Sequence, residues 1–226
     1  MVGGPDPERR MGALFRRTSN TTFRLVLAAV AGGAAATLGA LLLFQRIPYG
    51  TRQGEELQQP VLFDHRHHLL DDAIDCRYCH QSAERGASAG IPSTSLCMNC
   101  HAQVWNKSPR LELVRKSYFT GKPVPWVRVH QLPDFVYFNH SIHVNKGVAC
   151  ETCHGRIDRM ASVYQASTLT MGWCLDCHRN PAPNLRPREA ITAMGWTPPA
   201  DHAALARELM KAYDIHARTN CTTCHR

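Results

Sequence analysis

The stretch FNHSIHVNKGVACETCH, residues 138–154, places two histidines three residues apart in front of a CxxCH motif. CxxCH occurs five times in the chain and accounts for all ten cysteines. In this motif both thiols add to the vinyl groups of one haem, and the histidine that follows ligates its iron. Zinc sites made of CxxC pairs need an even number of pairs and no histidine after each pair. The sequence therefore predicts five covalently bound haem c groups.

The five motifs define the predicted attachment residues. The cysteines predicted to hold haem are Cys76, Cys79, Cys97, Cys100, Cys150, Cys153, Cys174, Cys177, Cys221 and Cys224. The histidines predicted as proximal iron ligands are His80, His101, His154, His178 and His225. A globule of about 180 residues has a radius of gyration near 16 Å, so five porphyrins inside it must lie close together. We expect a mainly α-helical and irregular domain with a haem core.

A second pattern, FxHxxH, precedes the first and the third CxxCH motif, at residues 63–68 and 138–143. Histidines three apart on a helical turn are neighbours but point in different directions, so one pair can serve two haems. Histidine is also the commonest metal ligand. The predicted distal iron ligands are His65, His68, His140 and His143.

The two patterns together form an internal repeat with a period of about 75 residues. Each half contains FxHxxH, a CxxCH motif, a connector of 16 or 19 residues and a second CxxCH motif. Such a repeat indicates duplication of one supersecondary unit. We place the repeat units at about 61–135 and 136–200, with an extra haem in 201–226.

The repeat supplies four distal ligands for five haems. Met160 and Met171 are the first candidates for the fifth, and Met171 replaces Thr94 of the first half. A methionine ligand would raise the potential of its haem above that of bis-histidine neighbours. Most methionines, however, only fill the core. His130 and His216 are the alternatives.

Residues 25–44, LVLAAVAGGAAATLGALLLF, form an uncharged apolar run. About 20 residues match a hydrocarbon core of about 30 Å. A cleaved signal peptide has an apolar region of about 7–15 residues followed by a small-residue cleavage site. The small residues at 34–36 lie inside the run, which favours a retained anchor. We therefore predict an N-terminal segment 1–24, a transmembrane anchor 25–45 and a haem domain 46–226.

The arginines around this run indicate its orientation. Five arginines precede it and only two follow it closely. By the positive-inside rule the N-terminus lies in the cytoplasm and residues 46–226 lie across the membrane. Haem attachment to CxxCH is completed outside the cytoplasm, so both signals agree. We expect a single-pass protein of the bacterial inner membrane with its haem domain on the periplasmic side.

The formal net charge of +8 would favour an anionic partner. Five haems would add about ten propionate charges, which cancels most of this excess. The chain also has no nucleic-acid motif. We expect no nucleic acid among its partners.

Two further segments have readable structure. Asp201 is predicted to cap a helix with an apolar stripe that includes Leu205 and Leu209. Residues 121–139 are rich in proline and β-branched residues and are predicted to be extended. Their aromatic side chains are predicted to cover porphyrin faces, namely Trp126, Phe135, Tyr137 and Phe138.

FxHxxH ahead of CxxCH resembles the class III and c7-type multihaem cytochromes. PVPWVRVHQLPDFVYFNHSIHV at 123–144, RIDRM at 156–160 and TMGWCLDCHR at 170–179 resemble the pentahaem cytochrome c subunits of bacterial alternative complex III, a quinol:electron acceptor oxidoreductase. The resemblance covers nearly the whole chain. It implies an electron-transfer subunit of a membrane quinol-oxidising respiratory or photosynthetic complex, without catalytic residues of its own.

The same resemblance implies particular partners. In that family other membrane subunits oxidise quinol together with an iron–sulfur subunit, and the pentahaem subunit passes electrons to a monohaem cytochrome, a soluble carrier or an oxidase. The alternative is a membrane-anchored multihaem quinol dehydrogenase of the NapC/NrfH type, which typically has four haems and lacks the duplicated FxHxxH. A multihaem enzyme would need an iron with an open position.

Overall fold

The computed structural model describes residue 16 and residues 18–225. Most of the predicted N-terminal segment 1–24, including positions 1–15 and 17, therefore lies outside the described residues. The chain divides into two units, Met1–Ile47 and Pro48–Arg226. This boundary is close to the predicted one between anchor and haem domain.

The first unit contains helix α1, Ser19–Phe44. It begins before the predicted apolar run, includes it, and has no buried residue. By length and composition it could cross a membrane. A signal sequence near an N-terminus has the same properties, so the helix is a candidate for either.

The second unit is helical and irregular. Its described residues form isolated β-bridges and no strand, which confirms the predicted fold class. The α-helices are α2 Pro48–Thr51, α3 Cys76–Cys79, α4 Thr94–His101, α5 Glu112–Thr120, α6 His140–Asn145, α7 Cys150–His154, α8 Met171–Arg179, α9 His202–Ala212 and α10 Cys221–Cys224. A π-helical turn covers His67–Asp71, and 3-10 turns cover Pro109–Leu111, Ile157–Arg159, Ala182–Asn184 and Arg188–Ala190.

Each CxxCH motif coincides with a helical turn, on α3, α4, α7, α8 or α10. Residues three and four apart on a helix share a face, so both thiols and the histidine of a motif point to one side. Some turns start at a capping side chain. Asp75 accepts the N–H of Arg77 ahead of α3, and Thr170 accepts that of Trp173 in α8. The spacing of the motif thus places both cysteines and the histidine on the same side of the turn.

The two other local predictions had different outcomes. Helix α9 is present, and Ala206 and Leu209 are its buried residues. Asp201 occupies the N-cap, but the predicted side-chain cap is wrong because Asp201 makes no side-chain capping bond. Its backbone carbonyl accepts the N–H of Leu205 instead, at 3.2 Å. Residues 121–139 contain neither helix nor strand.

Apolar packing between side chains is limited. One cluster joins the buried Val61, Val114 and Val124, with Trp126 and Cys97 packed against it. The other buried apolar side chains are few, and a domain of this size needs a larger buried apolar surface than they provide. The haem core predicted from the sequence would supply that surface.

An ion pair anchors the third motif. The guanidinium of Arg186 donates to the Glu151 carboxylate at 2.6 Å, and the exposed fractions of these side chains are 9% and 15%. Glu151 also accepts the N–H of Gly195 at 2.6 Å. Arg186 donates to the carbonyl of Ala193 at 2.9 Å, and its guanidinium lies 4.8 Å from the ring centroid of Trp196. Residues 186–196 are therefore fastened to α7.

We expect Arg186→Met to reduce the free energy of unfolding by about 3 kcal/mol, since it leaves the Glu151 carboxylate buried without its cation. The double variant with Glu151→Gln should recover most of this loss. Arg179→Met is the matched control: its ion pair with Asp176 is exposed, so its effect should stay below about 1 kcal/mol. Urea denaturation followed by far-UV circular dichroism measures all three. Equal loss in Arg186→Met and Arg179→Met would contradict the buried ion pair.

Candidate functional site

In the first FxHxxH segment, Phe63 and the hydrogen bonds to Asp64 hold the two histidines in place. Phe63 stacks on His68, with ring centroids 4.5 Å apart, and meets His65 edge-on at 4.6 Å. Asp64 accepts the N–H of Arg66 at 2.9 Å, and its own carbonyl accepts the Nδ1–H of His68 at 3.2 Å. The Arg66 guanidinium lowers the pKa of Asp64 to about 2. The turn thus keeps both rings at fixed angles.

The second FxHxxH segment repeats this geometry. Phe138 stacks on His143 at 4.5 Å and meets His140 edge-on at 4.8 Å. Asn139 accepts the N–H of Ser141 at 3.0 Å, and its carbonyl accepts the Nδ1–H of His143 at 2.8 Å. The phenylalanine of FxHxxH therefore has a function that the sequence alone did not reveal. It orients both histidines.

These histidines face the histidines of the CxxCH motifs. An imidazole nitrogen lies about 2 Å from a metal that it ligates, so two rings on one metal have centroids about 6 Å apart. The facing rings are His68 and His101 at 6.2 Å, His140 and His154 at 6.3 Å, and His143 and His178 at 6.0 Å. Each of the three pairs therefore has the spacing expected of two imidazoles that ligate the same iron. The second FxHxxH segment faces two different motifs, the third through His140 and the fourth through His143.

His65 is the remaining FxHxxH histidine. Burial, together with the neighbouring His80 and His68, lowers its pKa to about 4. Its Nδ1 is buried without a hydrogen-bond partner. A neutral, buried imidazole next to His80 fits a fourth axial pair, since a ligating histidine must be unprotonated.

Backbone carbonyls fix the tautomer of most of these rings. A carbonyl that accepts from Nδ1 leaves the lone pair on Nε2, which is the arrangement a metal-binding histidine needs. The accepting carbonyls belong to Gly90 for His80 at 2.7 Å, Val104 for His101 at 3.0 Å, Arg218 for His178 at 2.8 Å, Phe135 for His225 at 3.1 Å and Ala87 for His140 at 2.9 Å. Burial also lowers the pKa of His143 and thereby keeps it neutral.

His154 differs from the other motif histidines. Its Nδ1 lies 3.2 Å from Nε2 of His130, and the two ring centroids are 4.3 Å apart. Burial lowers the pKa of His154 to about 3, with further contributions from His130, His140 and His80. His130, an alternative for the fifth distal ligand in the sequence analysis, is thus placed beside the third motif.

The other candidates for the fifth distal ligand have distinct surroundings. Met160 is buried, 5% exposed, and its methyl group lies close to Gly155 in the turn after α7. The Nε2 of His216 bonds the Asp214 carboxylate at 2.8 Å. Met171 is 68% exposed at the start of α8. The ring that packs against His225 is that of Phe135, with centroids 5.7 Å apart.

The cysteines of different motifs are neighbours. All ten are free thiols, and they stand for the thioethers that haem attachment would form. Burial raises the pKa of several of them, with a smaller electrostatic contribution from a thiol of another motif, and the pKa of Cys153 reaches about 12. The neighbouring thiols are Cys76 with Cys150, Cys79 with Cys97, Cys153 with Cys177, and Cys174 with Cys224.

The five motifs therefore lie next to one another in a defined spatial order. The second motif is next to the first, the first to the third, the third to the fourth and the fourth to the fifth. At the junction of the two halves the neighbouring thiol of Cys76 raises the pKa of the Cys150 thiol. The order along the chain did not predict this order in space.

Comparison with known proteins agrees with this site. The sequence model for "Cytochrome c7 and related cytochrome c" matches residues 136–226. A multihaem cytochrome c subunit of a menaquinone reductase from Nitratidesulfovibrio vulgaris is 30% identical over 144 residues, which cover 54% of this chain and 69% of that subunit.

The c-type cytochromes bind haem covalently through cysteines, and the CxxCH spacing and facing imidazoles described above fit several such sites. The chain therefore belongs to the multihaem cytochromes c related to cytochrome c7.

Proposed function

We propose that this chain is a pentahaem electron relay of a quinol-linked membrane complex. The observation that carries the proposal is the set of facing imidazoles at 6.0–6.3 Å, because a protein ligand on each side leaves no iron position for a substrate. Haem c, when bound, supplies one-electron transfer. The chain itself is then no enzyme, and its residues hold, orient and insulate the haems.

The motif order supports one path through the domain. It runs from the second motif to the first, then to the third, fourth and fifth, because the thiols of consecutive motifs in this series are neighbours. The residues that would hold one iron each are His80 with His65, His101 with His68, His154 with His140, and His178 with His143. The two halves meet at the first and third motifs, in the middle of the path.

Met171 is the fifth distal ligand in this proposal. Met160 packs beside Gly155 in the turn after the third motif, whose iron would already have His140 opposite His154. Met171 lies on the same helix as Cys174, which neighbours Cys224 of the fifth motif. His225 would be the ligand on the opposite side.

The membrane arrangement follows from the anchor and the charges. Helix α1 spans the bacterial inner membrane with the N-terminus in the cytoplasm, and the haem domain lies on the periplasmic side. The partners are an iron–sulfur subunit, quinol-oxidising membrane subunits and a monohaem cytochrome, as in alternative complex III.

A second candidate has the opposite direction of electron flow. The relative from N. vulgaris is named as a subunit of a menaquinone reductase. A relay of bis-histidine haems works in either direction, so this chain could deliver electrons to a quinone site instead. The direction depends on the potentials at the two ends of the path.

Variants of the neighbouring residues His67 and His68 test the assignment of the iron ligands. His68→Ala should convert one of the five haems from low-spin to high-spin, since it removes the ring that faces His101. His67→Ala is the matched control, because His67 is exposed and bonds the Asp71 carboxylate at 2.7 Å. Electron paramagnetic resonance of the oxidised protein measures both. A fully low-spin spectrum in His68→Ala would rule out this pair.

The two methionines test the fifth site. Met171→Leu should lower the midpoint potential of one haem, because a thioether ligand favours the reduced iron. Met160→Leu should leave all five potentials unchanged and act only on stability, since Met160 is enclosed by protein. Spectroscopic redox titration distinguishes the outcomes, and unchanged potentials in Met171→Leu would exclude Met171.

The relay role is tested on the purified chain and on the complex. The full chain in mild detergent should contain five haems by mass analysis and should neither oxidise quinol nor reduce quinone. The complex with its partner subunits should do one of the two, which also gives the direction of flow. Quinol oxidation by the chain alone would overturn the relay proposal and favour the quinol dehydrogenase.

A further inference from the structure

We propose that His130 is a positioning residue that lowers the reduction potential at the third motif by accepting a hydrogen bond from the proximal ligand His154. This inference rests on the proposed haem at that motif. It concerns a residue that is neither an attachment cysteine nor an axial ligand, and it explains why a buried histidine lies beside another histidine.

The contact is specific. Nε2 of His130 lies 3.2 Å from Nδ1 of His154, and the two rings meet edge-to-face at 74°. Both rings are partly buried. A neutral imidazole has one N–H and one lone pair, so one ring must donate and the other accept.

The direction of the bond follows from ligation. If Nε2 of His154 ligates iron, its only N–H is on Nδ1, and His154 must donate to His130. Nε2 of His130 is then the acceptor. An imidazole nitrogen is a stronger base than a peptide carbonyl, so it withdraws the proton further and makes His154 a more electron-rich ligand.

The internal repeat provides a built-in comparison. His80 is the counterpart of His154 in the first half, and its Nδ1 donates to the carbonyl of Gly90 at 2.7 Å. The other motif histidines also donate to backbone carbonyls, those of Val104, Arg218 and Phe135. The third motif therefore differs from its repeat partner in the basicity of a single acceptor.

One segment supplies both neighbours of His154. Residues 130–140 carry His130 at one end and, at the other, His140, whose ring faces His154 at 6.3 Å in a nearly parallel orientation, 12°. The segment thus holds the ring of His154 from two directions. A more electron-rich ligand stabilises ferric iron, so the haem at the third motif should have a lower potential than with a carbonyl acceptor.

The test compares two variants of the full chain in detergent. His130→Phe keeps a ring but removes the acceptor. It should favour the reduced form of one haem about tenfold, the lower end for loss of a second-shell partner, which is about 59 mV for one electron. His130→Gln supplies an amide oxygen like the carbonyls of the other motifs. It should shift the same haem in the same direction by a smaller amount.

Electron paramagnetic resonance identifies the haem that shifts. Parallel axial rings give a rhombic low-spin signal, whereas crossed rings give a strongly anisotropic one. The His140 and His154 rings are at 12°, and the pairs of His68 with His101 and His143 with His178 are at 68° and 59°. The potential of a rhombic signal should move, and those of the anisotropic signals should not. His67→Phe is the control that should change nothing.

The outcomes are separable. Mass analysis of the peptide with Cys150 and Cys153 first establishes whether haem is attached there. If it is absent in the unmodified chain, the proposed function fails at this site. If it is present and neither variant moves a single potential, or all potentials move together, the role of His130 is overturned. If His130→Phe loses haem, His130→Gln decides: an unshifted potential overturns the inference.

Discussion

The rest of the structure depends on the hydrogen bonds that the histidine rings make through Nδ1. Each bond fixes a tautomer and an orientation, and leaves Nε2 free to ligate. The acceptors are backbone carbonyls of irregular segments, such as those of Ala87, Gly90, Val104 and Arg218. These hydrogen bonds therefore constrain the conformation of the loops. The loops must bring a carbonyl to a ring that lies between 3 and 90 residues away.

Burial acts together with these bonds. It lowers the pKa of His65, His143 and His154 and so favours the neutral form of these rings. Protonated imidazoles could not ligate iron. Few packed aliphatic side chains contribute to the burial of these rings, because the haems would fill the apolar interior of the domain. Ion pairs such as that of Glu151 with Arg186 fasten the motif helices around it.

The repeat is close in geometry but not identical. The rings of both FxHxxH segments stack at almost the same distances and angles. The halves differ at the counterparts His80 and His154, where a carbonyl is replaced by His130, and at His65, whose Nδ1 has no partner whereas that of His140 bonds Ala87. Such differences would allow haems in equivalent positions to have unequal potentials.

The sequence by itself determined the number of CxxCH motifs, the duplicated FxHxxH and the helical, strand-poor character of the domain, because these follow from short-range spacing. Each of the five motifs forms a short helical turn in its own setting. Only the tertiary structure decided which histidine faces which motif, the succession of the motifs in space and the contact of His130 with His154. These depend on how irregular segments without periodicity fold back on one another, and no local pattern encodes that path.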